Sequence, residues 1–421
     1  MKRIFPIQTE TSCLLKWAWS TVYLYRGTTS SCHRVAQNPI DPDNFGDFHN
    51  LPEKLQARRL MLSGQWPGQG CEYCQSIEQV GGISDRQHQL TGDHHVDKIP
   101  PELLTDPTAV EVTPTVLEVY FNNTCNMACV YCGEHFSTKW ADENRRWGEF
   151  KQDSVAFGHR TQINPNYDRM LADFWQWLAK EEHYRAIRYF QILGGEPFYQ
   201  KEFDVCLDFW QQHPNPDLAF NIISNLKVPH TKFRQQIDRF KTMVQQGQIN
   251  RLQITGSLDA WGPEEEYVRW GLDLSEWQQN FEYLLDKPWI HISVNLAICS
   301  LTIKTMPELI QRINAWQQRR PPGMLIHFSY MSVMAPAHLQ PEIFGAGVFD
   351  QDFDRIIQTL DQNPNYNVSV REHLQGIFKR ISGSTRDPIR IGQLKTYLTE
   401  LDRRRGTDWR SVFPWLDRDW H

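Results

Sequence analysis

Seven of the chain's nine cysteines fall into two sets whose spacing suits metal chemistry. The tighter set is Cys125, Cys129 and Cys132, spaced C-x3-C-x2-C within LEVYFNNTCNMACVYCGEH (117–135). An apolar run, VLEVYF (116–121), leads directly into it, so an extended segment delivers three thiolates into one short loop. Three soft thiolates that close together favour a soft metal centre. A cube-shaped [4Fe–4S] cluster held by only three cysteines keeps one iron free for another ligand. A zinc knuckle, or three unrelated buried thiols, is the alternative reading.

The second set is Cys13, Cys32, Cys71 and Cys74. Between the first two, an alternating apolar run (17–25) reaches Arg26-Gly27, and Cys32 lies five residues beyond the glycine. This pattern predicts a hairpin turning at Gly27, which brings Cys13 and Cys32 to the same end. Residues 51–63 read as an amphipathic helix that ends at Gly64 and leads through Pro67 and Gly68 to the C-x2-C pair Cys71–Cys74. Two strand ends and one knuckle make a complete four-thiolate site, suited to iron–sulfur or to zinc. His33, beside Cys32, reads as a neighbour of that site. Residues 75–115, rich in Gly, Pro, Asp and His and including His94–His95, read as a linker.

The elements that must position these sets alternate between strand and helix. The strand 187–193 runs into Gly194-Gly195-Glu196-Pro197, placing accessible backbone and one carboxylate at a strand's C-terminal edge. Further strands are predicted at 218–223, 250–256, 290–296 and 324–330, with helices at 204–212, 231–247, 275–286 and 306–318 between them. Ser224, Asn225, Ser257, Asp259 and Asn295 all fall at or near strand ends. With the strand before the cysteine loop this makes six strand–helix units, an α/β pattern fitting an open, partial (β/α)6 TIM-type barrel. Residues 137–164 show no clean period and read as an insertion. Helices are predicted at about 350–362, 370–381 and 388–404.

The C-x3-C-x2-C loop and the Gly194–Pro197 element together resemble the radical S-adenosylmethionine (SAM) superfamily. The resemblance implies a [4Fe–4S] cluster on Cys125, Cys129 and Cys132 whose free iron binds SAM. It also implies one-electron cleavage of SAM to a 5′-deoxyadenosyl radical, with flavodoxin or ferredoxin as donor. It further implies that Tyr131 packs beside the adenine, that Gly194, Gly195, Glu196 and Pro197 receive the SAM amino group, and that Ser224, Asn225, Ser257, Asp259 and Asn295 contact its ribose and carboxylate. The order Cys13, Gly27, Cys32 resembles the opening of the auxiliary-cluster modules called twitch and SPASM. Here it precedes the barrel, whereas those modules usually follow it. That resemblance implies a second [4Fe–4S] cluster, zinc being the alternative occupant. Cys299, after the fifth strand, is a candidate hydrogen-atom donor, as in some peptide epimerases. Cys206, in a helix, reads as core.

The chain's 421 residues suffice for two or three domains. They divide into a small α+β cluster-binding domain (1–100), the barrel (101–335) and a C-terminal helical extension (336–421). The 44 basic and 50 acidic residues give a formal charge of −6, which carries no footprint of a nucleic-acid or anionic-membrane partner. No apolar run is long enough to span a bilayer, and cysteines grouped as metal ligands fit a reducing cytoplasm. The expected substrate is a peptide or an amino-acid derivative, modified by oxidation or cross-linking. Oxidation or rearrangement of a non-peptide small molecule is the alternative, and a non-catalytic zinc protein is the reading from a different class.

Overall fold

The computed structural model describes residues 6–7, 9–68, 70–79, 81, 84–90, 97–363 and 368–418. The histidine pair His94–His95 lies outside the described residues. The chain is mixed α/β, and its strands among the described residues are β1 (Trp19–Tyr23), β2 (Thr28–Ser30), β3 (Asn38–Pro39), β4 (Val116–Tyr120), β5 (Phe150–Gln152), β6 (Val155–Phe157), β7 (Tyr189–Ile192), β8 (Asn215–Ser224), β9 (Ile249–Ser257), β10 (Ile290–Ile298) and β11 (Ile326–Ser332).

Nine of them form one sheet in the order β11-β10-β9-β8-β7-β4-β1-β2-β3. From β4 to β11 every neighbouring pair is parallel. Helices Tyr167–Leu178, Lys201–Gln212, His230–Gln245, Leu274–Leu284 and Met306–Arg319 lie between successive strands in the chain, as parallel pairing requires of its crossovers. The hairpin at Gly27 is present: β1 and β2 pair antiparallel, and Gly27 turns with φ +67°. It does not form a sheet of its own. β1 pairs parallel with β4, so the N-terminal segment lends a seventh parallel strand to the large sheet. The predicted strand 17–25 is shorter than expected, because Leu14–Ala18 is helical and Leu24–Arg26 is a single 3-10 turn.

Alternation along the strands gives the sheet two different faces. Leu117, Val119, Phe190, Ile192, Phe220, Ile222, Leu252, Ile254, Ile292 and Val294 are buried in the main core. The opposite face is polar, and the strand register aligns it in rows. One row runs Thr21, Glu118, Gln191, Asn221, Gln253, His291. Asn221 Nδ2 donates to Gln191 Oε1 (2.6 Å) and Gln253 Nε2 to Ser293 Oγ (3.4 Å). The middle of this face is buried, whereas His291, His327 and Ser329 are exposed towards the β11 edge.

Residues 137–164 and 75–115 hold more structure than their composition suggests. The first contains helix Thr138–Trp147, capped by Ser137 Oγ accepting from Trp140 N, and the β5–β6 hairpin. The second contains helices Asp85–Leu90 and Pro101–Thr105. The C-terminal segment is helical at Asp350–Asp361, Val368–Ser382 and Pro388–Arg405. Among the described residues no helix is long and apolar enough to cross a membrane.

Candidate functional site

Cys125, Cys129 and Cys132 follow β4 at its C-terminal end, and neighbouring elements fix their loop from several sides. Ala128 N donates to Trp270 O and Val130 N to Val268 O, both 2.8 Å. Trp140 Nε1 donates to Cys129 O (2.9 Å) and Tyr397 OH to Val130 O (2.6 Å). Thr138 Oγ1 bonds both the N–H and the carbonyl of Cys125 (3.1 Å each). The insertion and the C-terminal helix thus brace the cysteine loop.

The Gly194–Pro197 element packs against the same loop. Gly194 and Gly195 have φ +78° and +58°. A Cβ on Gly195 would stand 2.1 Å from Thr124 O, and one on Gly194 would stand 2.3 Å from the Tyr120 ring. Only glycine allows this approach. Glu196 N donates to Thr124 O (2.7 Å). The Glu196 carboxylate is fully buried and receives Ser224 Oγ (2.8 Å), Asn225 N (2.7 Å) and Phe198 N (3.2 Å). Burial pushes its pKa up to about 7, against the lowering effect of those donors. Its oxygens tie β7 to β8. Asn225 Nδ2 donates to Asn126 Oδ1 (2.9 Å) and lies 3.9 Å from Cys125 Sγ.

A second buried network backs the loop. Arg269 donates to both Asp259 oxygens, Nη2 to Oδ1 at 2.8 Å and Nε to Oδ2 at 3.0 Å, and sits 3.1 Å from Glu265 Oε1. Glu265 accepts from Asp259 N (3.0 Å) and Ala260 N (2.8 Å), and Asp259 Oδ1 accepts from Ala297 N (2.7 Å). The Tyr131 hydroxyl donates to Asp259 Oδ2. Burial, with Asp259 close by, pushes the Glu265 carboxyl up to about 8. Sequence reading missed Arg269 and Glu265, although their i, i+4 spacing beside the strand-end Asp259 was the available signal.

The predicted residues therefore gather along one sheet edge in different ways. Ser224, Glu196 and Asp259 turn their polar atoms inward. Tyr131 and Asn295 remain partly exposed, and Asn225 and Ser257 are nearly buried. Ser329 Oγ donates to Asn295 Oδ1 (2.9 Å). Cys299 has no exposed surface; it lies in the main core with its N–H on Thr302 Oγ1 (3.1 Å). Cys206 is likewise buried in that core.

Cys13, Cys32, Cys71 and Cys74 line one pocket. Cys13 precedes β1 and Cys32 follows the antiparallel β2, so both reach the N-terminal end of β1. Because β1 and β4 are parallel, this site lies at the end of the sheet opposite the Cys125–Cys132 loop. Five-residue strands span about 16 Å. Between the two ends, Glu118 accepts from Thr21 Oγ1 (2.6 Å) and pairs with His33 Nε2 (3.0 Å).

Lys16, Arg34 and Arg86 also line the pocket. Lys16 is 8% exposed and interacts with Cys13, Cys32 and Cys71, and no carboxylate pairs with it among the described residues. A buried ammonium requires an anionic partner. Free thiols do not supply one here, because burial pushes Cys13 up to about 12 and raises Cys32 and Cys71. Metal-bound thiolates would, so the donor types suit an iron–sulfur cluster or zinc by their chemistry, not by their present spacing. Burial also pushes Cys125 up to about 12 and Cys132 up to about 11. Among the described residues no three Cys, His, Asp or Glu side chains are gathered around a single point.

No model of a known protein family matches the chain, and no curated protein matches it. Solved structures similar to it include SuiB of Streptococcus suis bound to the precursor peptide SuiA, at 12% identity over 94% of this chain and 73% of that one, with a TM-score of 0.35. SuiB bound to S-adenosylmethionine matches at 11% identity over 86% and 68%, TM-score 0.35. TYW1 with a lysine–pyruvate adduct matches at 14% identity over 61% and 74%, TM-score 0.30. Likenesses of this size leave the site to be read from its own residues.

Proposed function

We propose that the chain is a radical SAM enzyme, with Cys125, Cys129 and Cys132 holding the [4Fe–4S] cluster that binds SAM. The observation that carries this is the close packing of Gly194–Gly195 onto Thr124, the residue before Cys125, at the C-terminal edge of a parallel sheet. When bound, the cluster supplies the electron that cleaves SAM to a 5′-deoxyadenosyl radical.

In this reading the backbone of Gly194, Gly195, Glu196 and Pro197 receives the SAM amino group, Asn225, Ser257 and Asn295 face its polar groups, and Tyr131 flanks the adenine. Glu196, Ser224 and Asp259 act through those residues by fixing strand ends and loop. The sheet curves as a partial barrel around its polar face, which holds the substrate. Residues 1–100 carry an auxiliary [4Fe–4S] cluster on Cys13, Cys32, Cys71 and Cys74, facing the substrate from the far end. Residues 101–335 carry the SAM site, and 336–421 brace it. The substrate is a peptide or amino-acid derivative, the outcome an oxidation or cross-link, and the electron donor a cytoplasmic flavodoxin or ferredoxin.

Anaerobically reconstituted protein is expected to bind about eight iron atoms and, with dithionite and SAM, to form 5′-deoxyadenosine. Zinc-loaded protein that leaves SAM intact would sink the reading. About four iron atoms plus zinc would confine the loss to the auxiliary cluster.

A further inference from the structure

The N-terminal end of the polar sheet face carries a group of basic side chains. The register places Trp19, Val116, Tyr189, Ala219 and Arg251 in one row across β1, β4, β7, β8 and β9. Lys98 Nζ lies over this row, 5.8 Å from the Trp19 ring centroid and 5.3 Å from that of Tyr189. His291 follows one row further along on β10, and His327 lies diagonally beyond it on β11.

These groups feel one another's charge. Burial lowers the basicity of Lys98, and Arg251 lowers it further. Burial does the same to His291, with Arg251, His327 and Arg320 adding to the effect. The Arg251 side chain has no ion pair or hydrogen bond among the described residues, and only the exposed Asp97 offsets Lys98. Arg320 is engaged elsewhere, donating to the carbonyls of Leu284, Leu285, Lys287 and Ile290. Beside this group, Asn221 is 3% exposed and its Oδ1 has no partner among the described residues. Buried acceptors without partners are uncommon.

We propose that Lys98, Arg251 and His291 form an anion-binding subsite at the far end of the substrate face, holding a carboxylate or phosphate of the substrate, with Asn221 Oδ1 accepting from an adjacent N–H or O–H. Arg251 supplies the planar fork that such anions bind in bidentate fashion. Ala219 is the small residue between Tyr189 and Arg251 in that row. The subsite gives the substrate a polarity, its anionic end towards the four-cysteine site and its reacting carbon towards the Cys125–Cys132 loop. This rests on the polar face being the substrate's.

The test is isothermal titration calorimetry of the reconstituted full-length protein at constant ionic strength, with inorganic phosphate in one arm and glutarate in the other. Saturable binding is expected for at least one anion, and the tighter one names the group. The double variant Lys98→Gln/Arg251→Gln should bind at least tenfold more weakly, with circular dichroism and iron content matching the parent, and Arg251→Lys, which keeps the charge but loses the fork, should bind more weakly than the parent and more tightly than the double variant. Absence of saturable heat in both arms, or unchanged affinity in the double variant, overturns the subsite. SAM cleavage on the same preparation separates the two readings. Anion binding without 5′-deoxyadenosine keeps the subsite and sinks the radical chemistry, and the reverse sinks the subsite alone.

Discussion

Arg269→Met tests whether the network behind the cysteine loop is what holds that loop. The Arg269 side chain is 8% exposed, and the Asp259 and Glu265 side chains it joins are 0% exposed. Methionine keeps much of the volume and removes the charge, leaving two carboxylates facing each other without a cation. Removing one partner of a buried pair costs about 3–5 kcal/mol. At roughly 2 °C per kcal/mol for a chain of this size, the melting temperature should fall by about 6–10 °C. The sign of the pH dependence follows from Glu265. Its folded pKa of about 8 lies above the ordinary 4.5, so the fold favours the protonated form. That contribution is present in full below the ordinary value and is lost as pH rises through the folded one. Without Arg269 the preference for the proton grows. The deficit of the variant should therefore be larger at about pH 8.5 than at about pH 5.5. Melting curves at the two pH values check this, together with iron content. A variant that melts within about 2 °C of the parent at the higher pH and keeps its iron refutes the reasoning.

Three further outcomes are expected. Gly195→Ala forces a left-handed residue at about 1–2 kcal/mol and drives a methyl into Thr124 O; iron should fall from about eight to about four atoms, and SAM cleavage should disappear with it. Lys16→Met removes the ammonium among Cys13, Cys32 and Cys71 and should shift the reduction potential of the auxiliary site to lower values without altering the signal of the Cys125 site, as read by electron paramagnetic resonance during a redox titration; Lys16→Arg should restore it. Tyr397→Phe removes the hydrogen bond to Val130 O and should cost about 1 kcal/mol in denaturant unfolding, with faster loss of iron to a chelator.

The strands β8, β9 and β10 were legible to within three residues, because long β-branched and aliphatic runs stand between clear helical periods. The helix Thr138–Trp147 was not, because among its residues only Trp140 and Asn144 are buried and TKWADENRRW shows little apolar stripe. Its cap, Ser137, was the remaining signal. The pairing of β1 with β4 joins residues about a hundred positions apart, and no local pattern announces such a contact. At the candidate site, the cysteines and the two glycines stand out in sequence by type and spacing. The inward turn of Glu196 and Asp259 did not, since a strand-end carboxylate looks the same in sequence whether it meets a ligand, a backbone N–H or an arginine. Lys16 was hidden for a related reason: a lysine in a five-residue helix reads as surface until its neighbours prove to be thiols.

The polar face was legible in principle. Parallel sheets covered on both sides by helices are built from continuous apolar strands. Here β9 alternates Arg251, Leu252, Gln253, Ile254, Thr255, and β10 alternates Ile290, His291, Ile292, Ser293, Val294, Asn295. Alternation in a parallel α/β sheet means that one face does not meet a helix layer. A buried polar face must then satisfy itself or be satisfied by something it binds. Pairs such as Asn221–Gln191 and Gln253–Ser293 do part of this across the strands. Arg251, Lys98 and Asn221 Oδ1 are the part left over; Arg251 and Lys98 lie at the end of the face away from the Cys125–Cys132 loop, and Asn221 lies one row nearer to it. In the proposed reading, a substrate that meets them is held about one strand length from the reacting end, so binding and chemistry can be separated by substitution. Changes at Arg251 should act on substrate affinity, whereas changes at Gly195 should act on SAM cleavage whether or not substrate is present.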